Sequence, residues 1–118
     1  MSDWPRCLIL GLCLGATPLL AQDVLQVAPQ NHRLALDNVH ARVFEVRLAP
    51  GERTGMHSHP RGLVYFLSDA RIRATYPDGR SEERTVKAGE ARGLEPVTHA
   101  IENLGASEFH EIHVELKD

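Results

Sequence analysis

Arg71-Ile72-Arg73-Ala74-Thr75-Tyr76-Pro77-Asp78-Gly79-Arg80-Ser81-Glu82-Glu83-Arg84-Thr85-Val86 is the stretch that decides the fold. Ile72, Ala74 and Tyr76 alternate with Arg71, Arg73 and Thr75, which is the period of a strand with one buried face. Pro77-Asp78-Gly79 then reverses the chain, because Asp-Gly tolerates the positive φ that tight hairpins need. A second strand returns through Arg84 to Val86.

The same period extends in both directions. Val39 to Leu48 reads as a strand with Phe44, Val46 and Leu48 on one face, stopped by Ala49-Pro50-Gly51. Leu63 to Leu67 is a short apolar run. Lys87-Ala88-Gly89-Glu90 turns the chain before a strand over Ala91 to Leu94, and Glu95-Pro96 precedes another over Val97 to Glu102. Phe109 to Leu116 closes the series, with Ile112, Val114 and Leu116 marking its inward face and His113 and Glu111 its outward one. No segment of ten or more residues has helical periodicity. Short strands at this spacing imply an all-β, antiparallel sandwich or barrel.

The chain has 118 residues, 42% hydrophobic and 25% charged, which suits one domain. A formal charge of -3 without a basic run argues against nucleic acid as a partner. The N-terminal stretch differs from the rest. Cys7 to Leu20 is uncharged, mostly apolar and too short to span a bilayer, so residues 1–21 are expected to be a secretory signal peptide cleaved after Ala21. Residues 22–118 then form the single mature domain, periplasmic or secreted and free of the membrane after cleavage. Gly11, Gly15 and Pro18 weaken the alternative of a retained helix. Both cysteines, Cys7 and Cys13, fall in this leader, so a metal bound by the mature chain must use N and O donors.

Such donors occur in Gly51-Glu52-Arg53-Thr54-Gly55-Met56-His57-Ser58-His59-Pro60. On a strand His57 and His59 share a face, a chelating arrangement that needs further donors from elsewhere, with His99 the best candidate. The bland alternative is a solvated pair at a strand end. His32 and His40 read as surface residues of the N-terminal connection and first strand. His110, on the expected inward face of the last strand, is a candidate neighbour of the site. Arg61, Tyr65 and Arg73 could orient an anionic substrate, but residues of these types in β-proteins are more often at the surface.

Gly51, five residues, His57-x-His59, and later His99-x3-Asn103 resemble the two-motif signature of the cupin superfamily, over roughly Val39 to Leu116. The resemblance implies a double-sheet jelly roll, or small β-barrel, in which His57, His59 and His99 converge on a divalent metal. The first motif runs Gly-x5-His-x-His-x3-Glu-x6-Gly, and this chain departs from it at Leu63, where the metal-binding glutamate is expected, and at Ala70. Before His99, Leu94-Glu95-Pro96 replaces the expected Pro-x-Gly. Three arrangements follow: a three-histidine site of the kind thiol dioxygenases of this superfamily use, a substitute carboxylate such as Glu95 or Glu102, or a barrel that holds a small ligand without metal. Without a carboxylate, Zn, Cu, Fe and Ni suit the site better than Mn. The implied function is that of a small exported metal-binding cupin, acting as a dioxygenase or related metal-dependent enzyme on a small organic molecule. The alternative is a non-catalytic module binding a small ligand. Small cupins commonly form homodimers, and a homodimer is expected here. If the leader is removed, the intact mass of protein recovered from its native host corresponds to a chain starting at Gln22; a mass that still includes Met1 to Ala21 overturns the export assignment.

Overall fold

The computed structural model describes residues 23–118. The expected leader, residues 1–21, lies outside the described residues. Nine strands follow one short helix: α1 (Val24–Val27), β1 (His32–Asp37), β2 (Ala41–Leu48), β3 (His57–His59), β4 (Gly62–Phe66), β5 (Ala70–Thr75), β6 (Ser81–Val86), β7 (Ala91–Leu94), β8 (Val97–Asn103) and β9 (Phe109–Leu116). A five-stranded sheet in the order β1-β2-β9-β4-β7 faces a four-stranded sheet in the order β3-β8-β5-β6, and the strand pairs within both are antiparallel. This is the expected double-sheet jelly roll. No helix among the described residues is long and apolar enough to cross a membrane.

The β5–β6 hairpin forms where the alternation places it. Tyr76 N–H donates to Arg80 O (2.8 Å), Gly79 N–H donates to Tyr76 O (2.9 Å), and Gly79 takes a φ of 88°, the left-handed region that glycine enters without steric cost. Phe44, Val46 and Leu48 are buried as read, and they pack with Val24, Val64, Phe66, Ile72, Val86 and Phe109 between the sheets. The first strand of the sequence reading begins later, at Ala41. Asn38 Oδ1 accepts from the N–H groups of His40 (2.8 Å) and Ala41 (3.0 Å), and this side-chain turn holds Val39 out in solvent.

Two readings are corrected. His32 to Asp37, taken as a connection, is edge strand β1, paired with β2. The inward face of β9 is also the opposite of the one expected. Phe109, Glu111, His113 and Glu115 are buried, while His110, Ile112, Val114 and Leu116 lie on the outer face and are only half-buried. Register is the reason: Phe44 pairs with His113 across β2 and β9, and residues directly opposite each other share a face. The hydrophobicity rule failed because both faces of β9 carry apolar residues and the polar ones are paired inside.

Gly62 packs against β9 with no room for a side chain, since a Cβ there would lie 1.9 Å from Val114 O. Gly62→Ala must therefore break the β4–β9 ladder and should cost about 3 kcal/mol or more of unfolding free energy. Gly93→Ala, whose Cβ meets nothing within 4 Å, should change stability by less than about 1 kcal/mol. Urea unfolding of both variants decides; equal midpoints would contradict this packing.

Candidate metal centre

A cavity of about 340 Å³ opens between the sheets, with His32, His57, His59, His99 and His113 on its wall. Strand register brings them together. His57 on β3 pairs directly with His99 on β8, and the two-residue step along β3 puts His59 on the same face as His57. Ring centroids lie 4.8 Å apart for His57 and His59, 5.0 Å for His57 and His99, and 5.5 Å for His59 and His99. The His-x-His pair is thus not a solvated strand end.

His32 reaches the cluster from β1. Its ring is 5.6 Å from that of His57, and ligand atoms of His32, His57 and His59 lie within 4.8 Å of one another. His113 stacks on His59 at 4.0 Å. The surface placement read for His32 and the outward placement read for His113 are therefore both corrected. Each faces inward because its cross-strand partner does, Val46 for His32 and Phe44 for His113, and that register is set by the tertiary structure.

Second contacts set the tautomers. His32 Nδ1 donates to Ala28 O (3.0 Å) and His57 Nδ1 donates to Gly55 O (2.8 Å), since a carbonyl oxygen can only accept. His59 Nδ1 donates to Glu115 Oε2 at 2.6 Å. All three therefore keep an unprotonated Nε2 as a free lone pair, the form in which imidazole binds metal. Glu115 is buried, and Arg42 donates to its other oxygen from Nε (3.1 Å) and Nη2 (2.8 Å). With both oxygens engaged, Glu115 orients His59 rather than facing the cavity. His113 Nε2 is buried with no hydrogen-bond partner, an arrangement that a bound ion or ligand would relieve.

Burial is the leading cause of the low basicity of these imidazoles. It pushes His32 from 6.5 down to about 4, against the Ala28 hydrogen bond and with help from His57 and His113. His99 is pushed down to about 2, chiefly by burial and then by His57, His59 and His113, with Arg84 adding to it. His57 and His59 are lowered for the same leading reason. The carboxylate beside His59 does not reverse this, because Arg42 already balances its charge. The donor set is neutral, nitrogen-rich and partly unsatisfied, which suits a divalent transition metal.

The other candidates fall elsewhere. Leu63 points out of the barrel and is exposed, whereas its neighbour Val64 lines the cavity, so the glutamate position of the motif does not face the site here. Glu102 turns away to pair with Arg73, and Glu95 is exposed on the cavity wall. The buried carboxylates come instead from β9, as Glu111 and Glu115. His110 lies on the outer face and its Nε2 meets Glu45 at 2.7 Å, so it is no neighbour of the site. Arg61 pairs with Asp118 and Tyr65 is exposed, as the surface reading had it. Asn103 is structural: its Nδ2 donates to Leu48 O (3.0 Å) and Ser107 O (2.8 Å).

Two facing antiparallel sheets enclosing a cavity, with histidines from paired strands gathered in it, define the class: the chain has the double-stranded β-helix fold of cupin proteins. It is similar to a cupin domain from Bordetella pertussis, with 27% identity and a TM-score of 0.69, covering 74% of this chain and 92% of that one. A double-stranded β-helix domain protein from Klebsiella pneumoniae is 20% identical with a TM-score of 0.60, covering 73% and 75%. The polyketide cyclase RemF from Streptomyces resistomycificus is 23% identical with a TM-score of 0.55, covering 74% and 64%. No protein-family profile and no curated protein sequence matches the chain.

The neutral cluster makes acid stability a readout of the site. The folded pKa of His32 lies below the unfolded value, so its contribution is intact above about pH 6.5 and is lost as pH falls through about 4. A displacement from 6.5 to about 4 corresponds to about 3 kcal/mol. Chelator-treated protein should therefore show a melting temperature that falls between pH 6.5 and 4, and His32→Gln should flatten that fall. An identical pH profile for the variant would show that His32 does not reside in this buried, neutral state.

Proposed function

We propose that the protein is an exported metal-binding cupin whose cavity holds a divalent transition metal and admits one small organic molecule. The observation that carries this reading is the trio His32, His57 and His59, buried with their Nδ1 atoms tied to acceptors, leaving Nε2 as the lone-pair nitrogen. His57, His59 and His99 are the expected ligands, with His32 close enough to His57 and His59 to serve as a further donor. Glu115 holds His59 in orientation, as partners behind metal-bound imidazoles commonly do. The donor set favours Fe, Zn, Ni or Cu over Mn.

A metal bound there supplies a Lewis acid and exchangeable positions for substrate or dioxygen. The chain's own contribution is to exclude bulk water with Val46, Leu48, Ile72, Ile101 and Phe109 and to provide Glu111, a buried carboxylate on the cavity wall, as a proton acceptor. A volume of about 340 Å³ lies near the lower end of the range for ligand pockets, about 300–1,000 Å³, which suits a small molecule rather than a polymer. RemF is a polyketide cyclase on the same fold, so the barrel is compatible with chemistry on small organic substrates. Export rests on the leader over residues 1–21. A homodimer is supported by the outer face of the larger sheet, where Leu36, Val43, Val114 and Leu63 form one apolar cross-strand row.

Metal content per chain, measured on untagged protein, tests the reading. Single alanine variants of His57, His59 and His99 should each lose metal affinity by about 10-fold or more, and Glu115→Gln by about 10- to 100-fold. His40→Ala and His110→Ala should retain full occupancy. If parent and variants carry equal metal, or the parent binds none, the metal reading falls and the metal-free binding module stands. Dioxygen uptake by iron-loaded protein with thiols, diketones or phenols then separates an oxygenase from a binding protein.

A further inference from the structure

Tyr76 and Arg84 also line the cavity. Among the described residues, Arg84 is the only arginine or lysine on the cavity wall. Both residues come from the β5–β6 hairpin. Thr75 pairs with Ala100, which carries Tyr76, the next residue, to the position beside His99. Arg84 sits opposite Ile72, whose buried side chain faces the cavity.

The two residues already grip a carboxylate. Tyr76 Oη donates to Glu82 Oε1 at 2.8 Å, and Arg84 Nη2 donates to that same oxygen. Glu82 is itself outside the cavity wall and half exposed, with its side chain at 49% of full accessibility against 39% for Arg84. An exposed ion pair of this kind is held weakly, so another carboxylate can exchange for it. Arg80 lies over the Tyr76 ring, 4.7 Å from its centre, and brings a second positive charge to the same rim. A planar guanidinium beside a phenolic hydroxyl suits a carboxylate group.

We propose that Tyr76 and Arg84 form a carboxylate-binding subsite, and that the small molecule taken by this cavity is a carboxylic acid with an apolar body. Val46, Ile72, Leu94, Ile101 and Phe109 provide the apolar wall for that body. Two acidic residues share the wall. Glu95 is exposed, where water screens it, and Glu111 lies 3.6 Å from His113 Nδ1. The substrate class deepens the metal-cupin reading and rests on it only for what happens at the opposite end of the ligand. Glu82 then acts as an internal competitor that the incoming acid displaces.

The test compares benzoate and 4-methylpentanoate with benzamide and 4-methylpentanamide by calorimetry, on zinc-loaded and on chelator-stripped protein. The parent should prefer each acid over its amide in both forms. Arg84→Gln should weaken acid binding by about 10- to 100-fold and leave amide binding unchanged, as loss of a charge-assisted hydrogen bond predicts. Tyr76→Phe should cost a smaller factor, and Glu82→Gln should tighten acid binding. That opposite sign cannot arise from a damaged fold. Zinc content should be unchanged in all three variants, so failure of the metal site is read separately from failure of the subsite. No acid preference in the parent overturns the proposal. So does a preference that survives Arg84→Gln and vanishes with zinc, because the acid would then be bound by the metal.

Discussion

The hydrogen bond from His59 to Glu115, with Arg42 on the far side of the carboxylate, is the contact on which the rest of the site depends. It joins β3 of the smaller sheet to β9 and β2 of the larger one inside the barrel. Arg42 also reaches Asp23 at 2.7 Å, which draws in the N-terminal turn of the described chain. A buried carboxylate costs several kcal/mol unless it is paired and its oxygens are satisfied. Here both oxygens are used, so the charge is balanced and His59 is held in one tautomer.

That arrangement explains how a small barrel tolerates five imidazoles in its interior. Three of them give their N–H to a fixed acceptor, and burial keeps His32, His57, His59 and His99 neutral, so like charges do not accumulate among them in a region of low dielectric. The arrangement satisfies Nδ1 of His32, His57 and His59, while His113 Nε2 is buried without a hydrogen-bond partner. A core built only for stability would not retain such atoms. The cavity gives up apolar packing in exchange for a preorganised set of donors.

The barrel also takes its inner carboxylates from a strand that the cupin motif does not mark. Where the first cupin motif places glutamate, this chain has Leu63, turned outward among the apolar residues of the larger sheet. Acidic side chains enter from β9 instead, Glu115 behind His59 and Glu111 on the cavity wall. The carboxylate nearest the histidines thus orients a ring instead of competing for a place in the ligand set. Tyr76 and Arg84, which line the cavity without joining this cluster, come from the hairpin on the facing sheet.

Much of this was legible in the chain. The alternation at Ile72, Ala74 and Tyr76, the Asp78-Gly79 turn and the spacing of turn residues set an antiparallel barrel, because strand period and turn chemistry act between near neighbours. The His57-x-His59 step put two imidazoles on one face for the same reason, and the resemblance to the cupin motifs pointed to His99 as the third. The positions of His32, His113, Glu115 and Arg84 were decided by tertiary structure. Residue type misled there: Ile112 and Val114 are more apolar than Glu111 and His113, and Leu34 more than His32. Which face a strand presents to the interior is set by its register with a neighbour distant in sequence, and a buried charge is tolerated only when a partner from another strand arrives to satisfy it.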